Sequence, residues 1–132
     1  MNQKQIDFEK KKFRKIGGEE IPNVIEYIKE YVQTGYDMRI MVGCDSKQKR
    51  KITLYSLVIV LYDEALHKGA HIIYMRIRNP KERDLFSRMM NEAVYSLSLS
   101  LWLDEQLEDF YLVPKFTPNE YDNSNPTRRI EI

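Results

Sequence analysis

The run from Leu54 to Tyr62 constrains this chain more than any other stretch. Leu54, Tyr55, Leu57, Val58, Ile59, Val60 and Leu61 are too densely apolar for a strand with one face in water. The run therefore predicts a central or well-covered strand over roughly Ile52 to Tyr62. An apolar segment from Met38 to Cys44 precedes it. A third segment, Ala70 to Arg78, follows, with Ile72, Tyr74 and Arg76 alternating against His71, Ile73, Met75 and Ile77. Lys47 to Lys51 and His67-Lys68-Gly69 form short turns between these segments. Three strands so connected predict an antiparallel meander.

Two helices frame the meander. Pro22 suits a first helical turn, Val24, Ile25, Ile28 and Val32 follow helical spacing, and Gly35 suits a C-terminal stop. A longer helix is expected after the third strand, with Asn79 as its cap, Pro80 at its first position and Glu82 three residues after the cap. Its stripe of Leu85, Phe86, Met89, Met90, Ala93, Val94, Leu97 and Leu101 predicts the face that packs on the core. Phe110 to Phe116 reads as a fourth strand, at an edge or with a distorted end because of Pro114. Thr117 to Ile132 reads as a loop-like tail. Residues 1–16, with Lys10, Lys11, Lys12, Arg14 and Lys15 around Phe8 and Phe13, read as a basic terminal arm. The expected organisation is an arm over 1–16, one domain over 17–116 and a tail over 117–132.

With 132 residues, one domain is expected, and 42% hydrophobic residues allow a real though modest core. The net charge of +1 leaves only local charge to suggest a polyanionic partner. A single cysteine, Cys44, excludes an internal disulfide and fits a reducing interior. No segment is long and apolar enough for a membrane span, and the first residues lack the apolar region of a secretory signal. These features predict a soluble cytoplasmic protein.

Met41-Val42-Gly43-Cys44-Asp45-Ser46 ends the first strand on a carboxylate, where a hard divalent cation could be held. Ser46 and the basic turn of Lys47, Lys49, Arg50 and Lys51 follow. On the long helix Glu92 sits with Arg88 one turn before it and Ser96 one turn after. Asp104, Glu105, Glu108 and Asp109 read as a solvated acidic helix end, able at most to lend a substitute ligand. His67 and His71 lack the further ligands of a zinc set.

The order strand–strand–strand–helix–strand, with an acid on the first strand and another in the helix, resembles the front half of a ribonuclease H-like domain. More closely, Gly43-Cys44-Asp45-Ser46, Lys68-Gly69-Ala70, Arg88 with Asn91-Glu92 and Ser96-Leu97, and the weaker Pro118-Asn119 with Ser124-Asn125 resemble the YkuK-like family of predicted ribonuclease H-related proteins. The resemblance covers roughly residues 13 to 125. It implies a mixed sheet beginning with the antiparallel meander, the long helix on one face and an additional N-terminal helix. It also implies magnesium or manganese held by Asp45 and Glu92 as catalytic acids. Two-metal hydrolysis needs several carboxylates around cations about 3.5–4 Å apart. Where the family carries its third acid, after the fourth strand, this chain reads Lys115-Phe116-Thr117-Pro118, and the family's last acid lies in a part this C-terminally short chain lacks.

A lysine ammonium beside two carboxylates compensates their charge, so Lys115 is a candidate replacement for the metal. Three readings follow. A degenerate relative would have weak or lost catalysis and a nucleic-acid- or protein-binding role. An active nuclease would use magnesium or manganese at Asp45 and Glu92, steer RNA or an RNA–DNA hybrid with Ser46, Lys47, Lys49, Arg50, Lys51, Arg88 and Ser96, and need a further acid such as Asp122. A structural protein would have no nucleic-acid role. An exposed sheet edge would allow a homodimer or a larger assembly.

Overall fold

The computed structural model describes residues 6–65, 69–108, 110 and 130–132. The expected meander is its centre. β3 (Met38–Gln48), β4 (Ile52–Asp63) and β5 (His71–Pro80) run antiparallel in sequence order. On the β5 side lie β1 (Phe13–Lys15) and β2 (Glu20–Ile21), again antiparallel. On the other side β6 (Ile130–Glu131) pairs in parallel with β3 at Ile40 and Met41. The result is a six-stranded mixed sheet of order β2-β1-β5-β4-β3-β6. With α1 (Val24–Val32) and α2 (Leu85–Gln106) it forms an α+β domain.

The β3–β4 ladder runs unbroken from Met38 opposite Asp63 to Gln48 opposite Thr53. Without a bulge, alternation assigns every side chain to a face. One face carries Ile40, Val42, Tyr55, Leu57, Ile59, Leu61, Ile73 and Met75, all buried. α2 lies on this inner face through Leu99, Leu103 and Leu107, and the Asn91 Nδ2 donates to the Tyr55 hydroxyl at 2.9 Å. α1 buries Val24, Ile28 and Val32 in the same core, and its Tyr27 and Tyr31 rings flank His71. Asn23 caps α1 by accepting from the Glu26 amide at 3.1 Å, an arrangement worth about 1 kcal/mol. Gly35 follows α1 because a β-carbon there would collide with the Met38 side chain and crowd the Asp63 carboxylate.

β4 is thus central, as its density predicted, but among the described residues helices cover only one of its faces. Leu54, Ser56, Val58, Val60 and Tyr62 are only partly buried, and neither helix lies over them. Three further expectations are corrected. The basic N-terminal segment is not a free arm. Phe8 and Phe13 are buried against Trp102, with ring centroids 5.3 Å and 6.1 Å away, and β1 extends the sheet. Helix α2 does not start at Asn79. β5 continues to Pro80, and the Glu82 backbone is held to the sheet, its amide donating to Thr53 Oγ1 at 2.9 Å and its carbonyl accepting from Gln48 Nε2. Helix geometry begins only after Asp84, whose carboxylate caps Ser87. The apolar stripe of α2 points outward, not into the core. Its inner face in the first turns is polar, with Asn91 bonded to Tyr55 and Tyr95 to Asn79, and apolar packing takes over only from Leu99 onward. The expected fourth strand, Phe110 to Phe116, and most of the C-terminal tail lie outside the described residues.

His71 lies on the inner face, with its Nε2 2.5 Å from the Tyr27 hydroxyl. Burial lowers its pKa from the ordinary 6.5, and the charge of Lys15 lowers it further. The unfolded chain therefore takes up a proton that the folded chain resists, so stability falls as the pH drops through about 6.5 and levels off below the folded-state pKa. Urea denaturation between pH 8 and pH 5 checks this. The wild type loses stability over that interval, and His71→Phe flattens the loss whatever its effect at pH 8.

Candidate functional site

The end of β3 distributes its functional side chains between the two faces. Cys44 and Ser46 share the face of Val42 and look toward α2, where the Ser46 hydroxyl donates to Glu92 Oε2. Glu92 is therefore held at the strand–helix seam by the residue that follows the expected metal-binding acid. Cys44 lies half-buried in the same seam. Its thiol pKa is pushed up to about 12, chiefly by burial and then by the negative charges of Glu92 and Asp45. A thiol so raised stays protonated at neutral pH and is a poor nucleophile. Ser96 is buried one turn beyond Glu92. Arg88, one turn before it, is partly buried, and its Nε has no hydrogen-bond partner among the described residues.

Asp45 belongs to the other face. It is exposed and stands opposite Ser56, in a row that continues to Arg76 on β5. The adjoining row holds Lys47, Leu54 and Arg78, and the row on the other side holds Gly43, Val58, Tyr74 and Arg14. The Arg76 guanidinium stacks on the Tyr74 ring at 5.1 Å from its centroid, and Arg14 donates to the Gly18 carbonyl at 3.0 Å. This open face joins cations, the Tyr74 ring and an exposed carboxylate, and it grades into the apolar side chains of Met41, Val60 and Ile72.

The structure thus does not bring Asp45 and Glu92 together. A shared divalent cation needs oxygens converging on one point, and strand alternation directs Asp45 to the face opposite Ser46, which holds Glu92. Among the described residues no group of three or more His, Cys, Asp or Glu side chains could hold a metal. The donors among the described residues do not fit a two-metal centre. Lys47 lies on the open face, while Lys49, Arg50 and Lys51 are exposed in the β3–β4 turn beyond it. Glu105 and Glu108 are exposed at the end of α2. Lys115, Asp122, His67 and Asp109 lie outside the described residues. Sequence reasoning missed Arg14, Tyr74, Arg76 and Arg78 as a surface. The alternation of Ile72, Tyr74, Arg76 and Arg78 was the signal available, since it sets all four on one face.

Because Glu92 contributes to the raised thiol pKa, Glu92→Gln should speed alkylation of Cys44 by iodoacetamide at pH 8 and shift its pH profile downward. The measurement is the modification rate followed by mass. An unchanged profile would show that Glu92 does not face the thiol.

A family model described as Ribonuclease H-like matches residues 21–127. No curated protein and no solved structure matches the chain. The matched span contains α1, the whole meander and α2, and the sheet and helices described above are consistent with that fold. The chain belongs to the ribonuclease H-like family.

Proposed function

We propose that this protein is a ribonuclease H-like relative of the YkuK-like kind that binds single-stranded nucleic acid on the open face of its sheet and has weak or lost catalysis. The observation that carries the reading is the cluster of Arg14, Lys47, Arg76 and Arg78 around Tyr74, in adjoining rows of one face that no described helix covers. Cations that neutralise phosphates, beside a ring on which a base can stack, are what sequence-tolerant binding to a single strand requires. The β3–β4 turn extends that positive surface with Lys49, Arg50 and Lys51. The loss of catalysis is supported by Asp45 and Glu92 lying on opposite faces and by Glu92 accepting from Ser46. The YkuK-like assignment rests on Gly43-Cys44-Asp45-Ser46 and Asn91-Glu92. No helix is long and apolar enough to cross a membrane among the described residues, and the cytoplasmic setting rests on the single cysteine.

The test is fluorescence anisotropy with labelled single-stranded RNA and DNA over a range of salt, beside a cleavage assay in magnesium or manganese. Arg76→Gln with Arg78→Gln should weaken binding about tenfold and reduce the salt slope by about 1.4, the value for two phosphate contacts on a single strand. Glu92→Gln should leave binding unchanged. Binding that ignores the arginine pair would contradict the proposed surface. Metal-dependent cleavage abolished by Asp45→Asn would instead make the chain an active nuclease.

A further inference from the structure

The outward stripe of α2 is an apolar feature that, among the described residues, neither the fold nor the sheet surface uses. Leu85, Phe86, Met89, Met90, Leu97 and Leu101 are exposed, from 48% at Met90 to 70% at Phe86. Each such side chain offers on the order of 100 Å². Together with Ala93 and Val94, the stripe offers about 600–800 Å², the scale of one partner's share in a standard interface. Isolated exposed apolar residues are ordinary, but a continuous patch of this size marks a contact surface.

The charges at its two ends select the occupant. Before α2, Lys81 and Arg83 are exposed and alternate with Glu82 and the capping Asp84, at the positive end of the helix dipole, while Glu105 and Glu108 are exposed at and just beyond its other end. A second copy laid antiparallel sets each acidic end beside the other copy's helix N-terminus, with its Lys81 and Arg83, so the surface is complementary to itself. Such a contact closes on a two-fold axis, the commonest symmetry of soluble assemblies. Ala93 is the midpoint of the stripe, eight residues from both Leu85 and Leu101. Its small side chain allows close approach where the helices cross. Toward the ends, the long side chains of Phe86, Met89 and Leu97 cover one another. This differs from assembly through a sheet edge, for which the short β2 and β6 strands offer little backbone.

We infer that the protein is a homodimer held by antiparallel packing of the outward faces of two α2 helices, with Ala93 at the two-fold axis. The open sheet face lies on the opposite side of each subunit, so the dimer would present two nucleic-acid surfaces directed away from each other.

Sedimentation velocity and light scattering on the full chain at micromolar concentrations test this. The wild type should show twice the chain mass, and Met89→Glu with Leu97→Glu should show the monomer mass with an unchanged circular dichroism spectrum. Glu105→Lys with Glu108→Lys should weaken the dimer, and adding Lys81→Glu and Arg83→Glu should restore it. Ala93→Cys in a Cys44→Ser background provides an independent check, since it should form a disulfide-linked dimer under mild oxidation without mutation of the stripe's large side chains. A monomeric wild type, or a dimer that survives the Met89/Leu97 change and does not cross-link at position 93, would overturn the inference. In the monomeric case the stripe is covered by residues 111–129 or by another protein.

Discussion

The unbroken register between β3 and β4 is the constraint on which the rest of the structure depends. An antiparallel ladder without a bulge leaves no freedom in which side chain faces which way, because one residue of slippage would turn every buried side chain of the strand to water. Ile40, Val42, Leu57, Ile59 and Leu61 are all buried in the same core, so their combined burial holds the register. The positions of Cys44, Asp45 and Ser46 follow from it. Asp45 cannot join Glu92 on the inner face without a bulge, which would disturb the pairing on either side.

This constraint divides the molecule's chemistry. On the inner face, polar side chains hold α2 to the sheet. Asn91 binds Tyr55, Tyr95 binds Asn79 and Glu92 accepts from Ser46. Buried polar groups need such partners, and Glu92 thereby serves the strand–helix seam. The outer face has no helix above it among the described residues and gathers the cations. The far end of β3 is fixed differently. Arg39 contacts Asp37, Glu64 and Glu131 at 3.6 Å, 2.5 Å and 3.7 Å, tying the β4 exit and β6 to β3.

The meander was legible in the sequence because period-two alternation and short turns are local signals, and the first helix because the spacing of Val24, Ile28 and Val32 is local too, although Pro22 lies before the capping Asn23 and not in the first turn. What was not legible depended on tertiary choice. The α2 stripe satisfied every amphipathic rule, yet the sheet presents Tyr55 and Ser46 to the helix, and these select the polar side bearing Asn91 and Glu92. Asn79, Pro80 and Glu82 formed a credible helix start that lost to β-pairing and to the bonds of Thr53 and Gln48. Phe8 and Phe13 looked like part of a charged tail because their partner, Trp102, lies about ninety residues away. At the site, Asp45 and Glu92 could each be found from sequence. Their separation could not, since it depends on how the α2 face and the strand parity coincide.

Methyl-resolved nuclear magnetic resonance with a short single-stranded RNA tests the central claim most directly, because neighbouring residues of β4 report opposite faces. The account predicts that the methyl signals of Leu54, Val58 and Val60 shift on titration while those of Leu57, Ile59 and Leu61 stay in place. Shifts confined to the inner set or to Leu99 and Leu103, or no shift in either set, would contradict it.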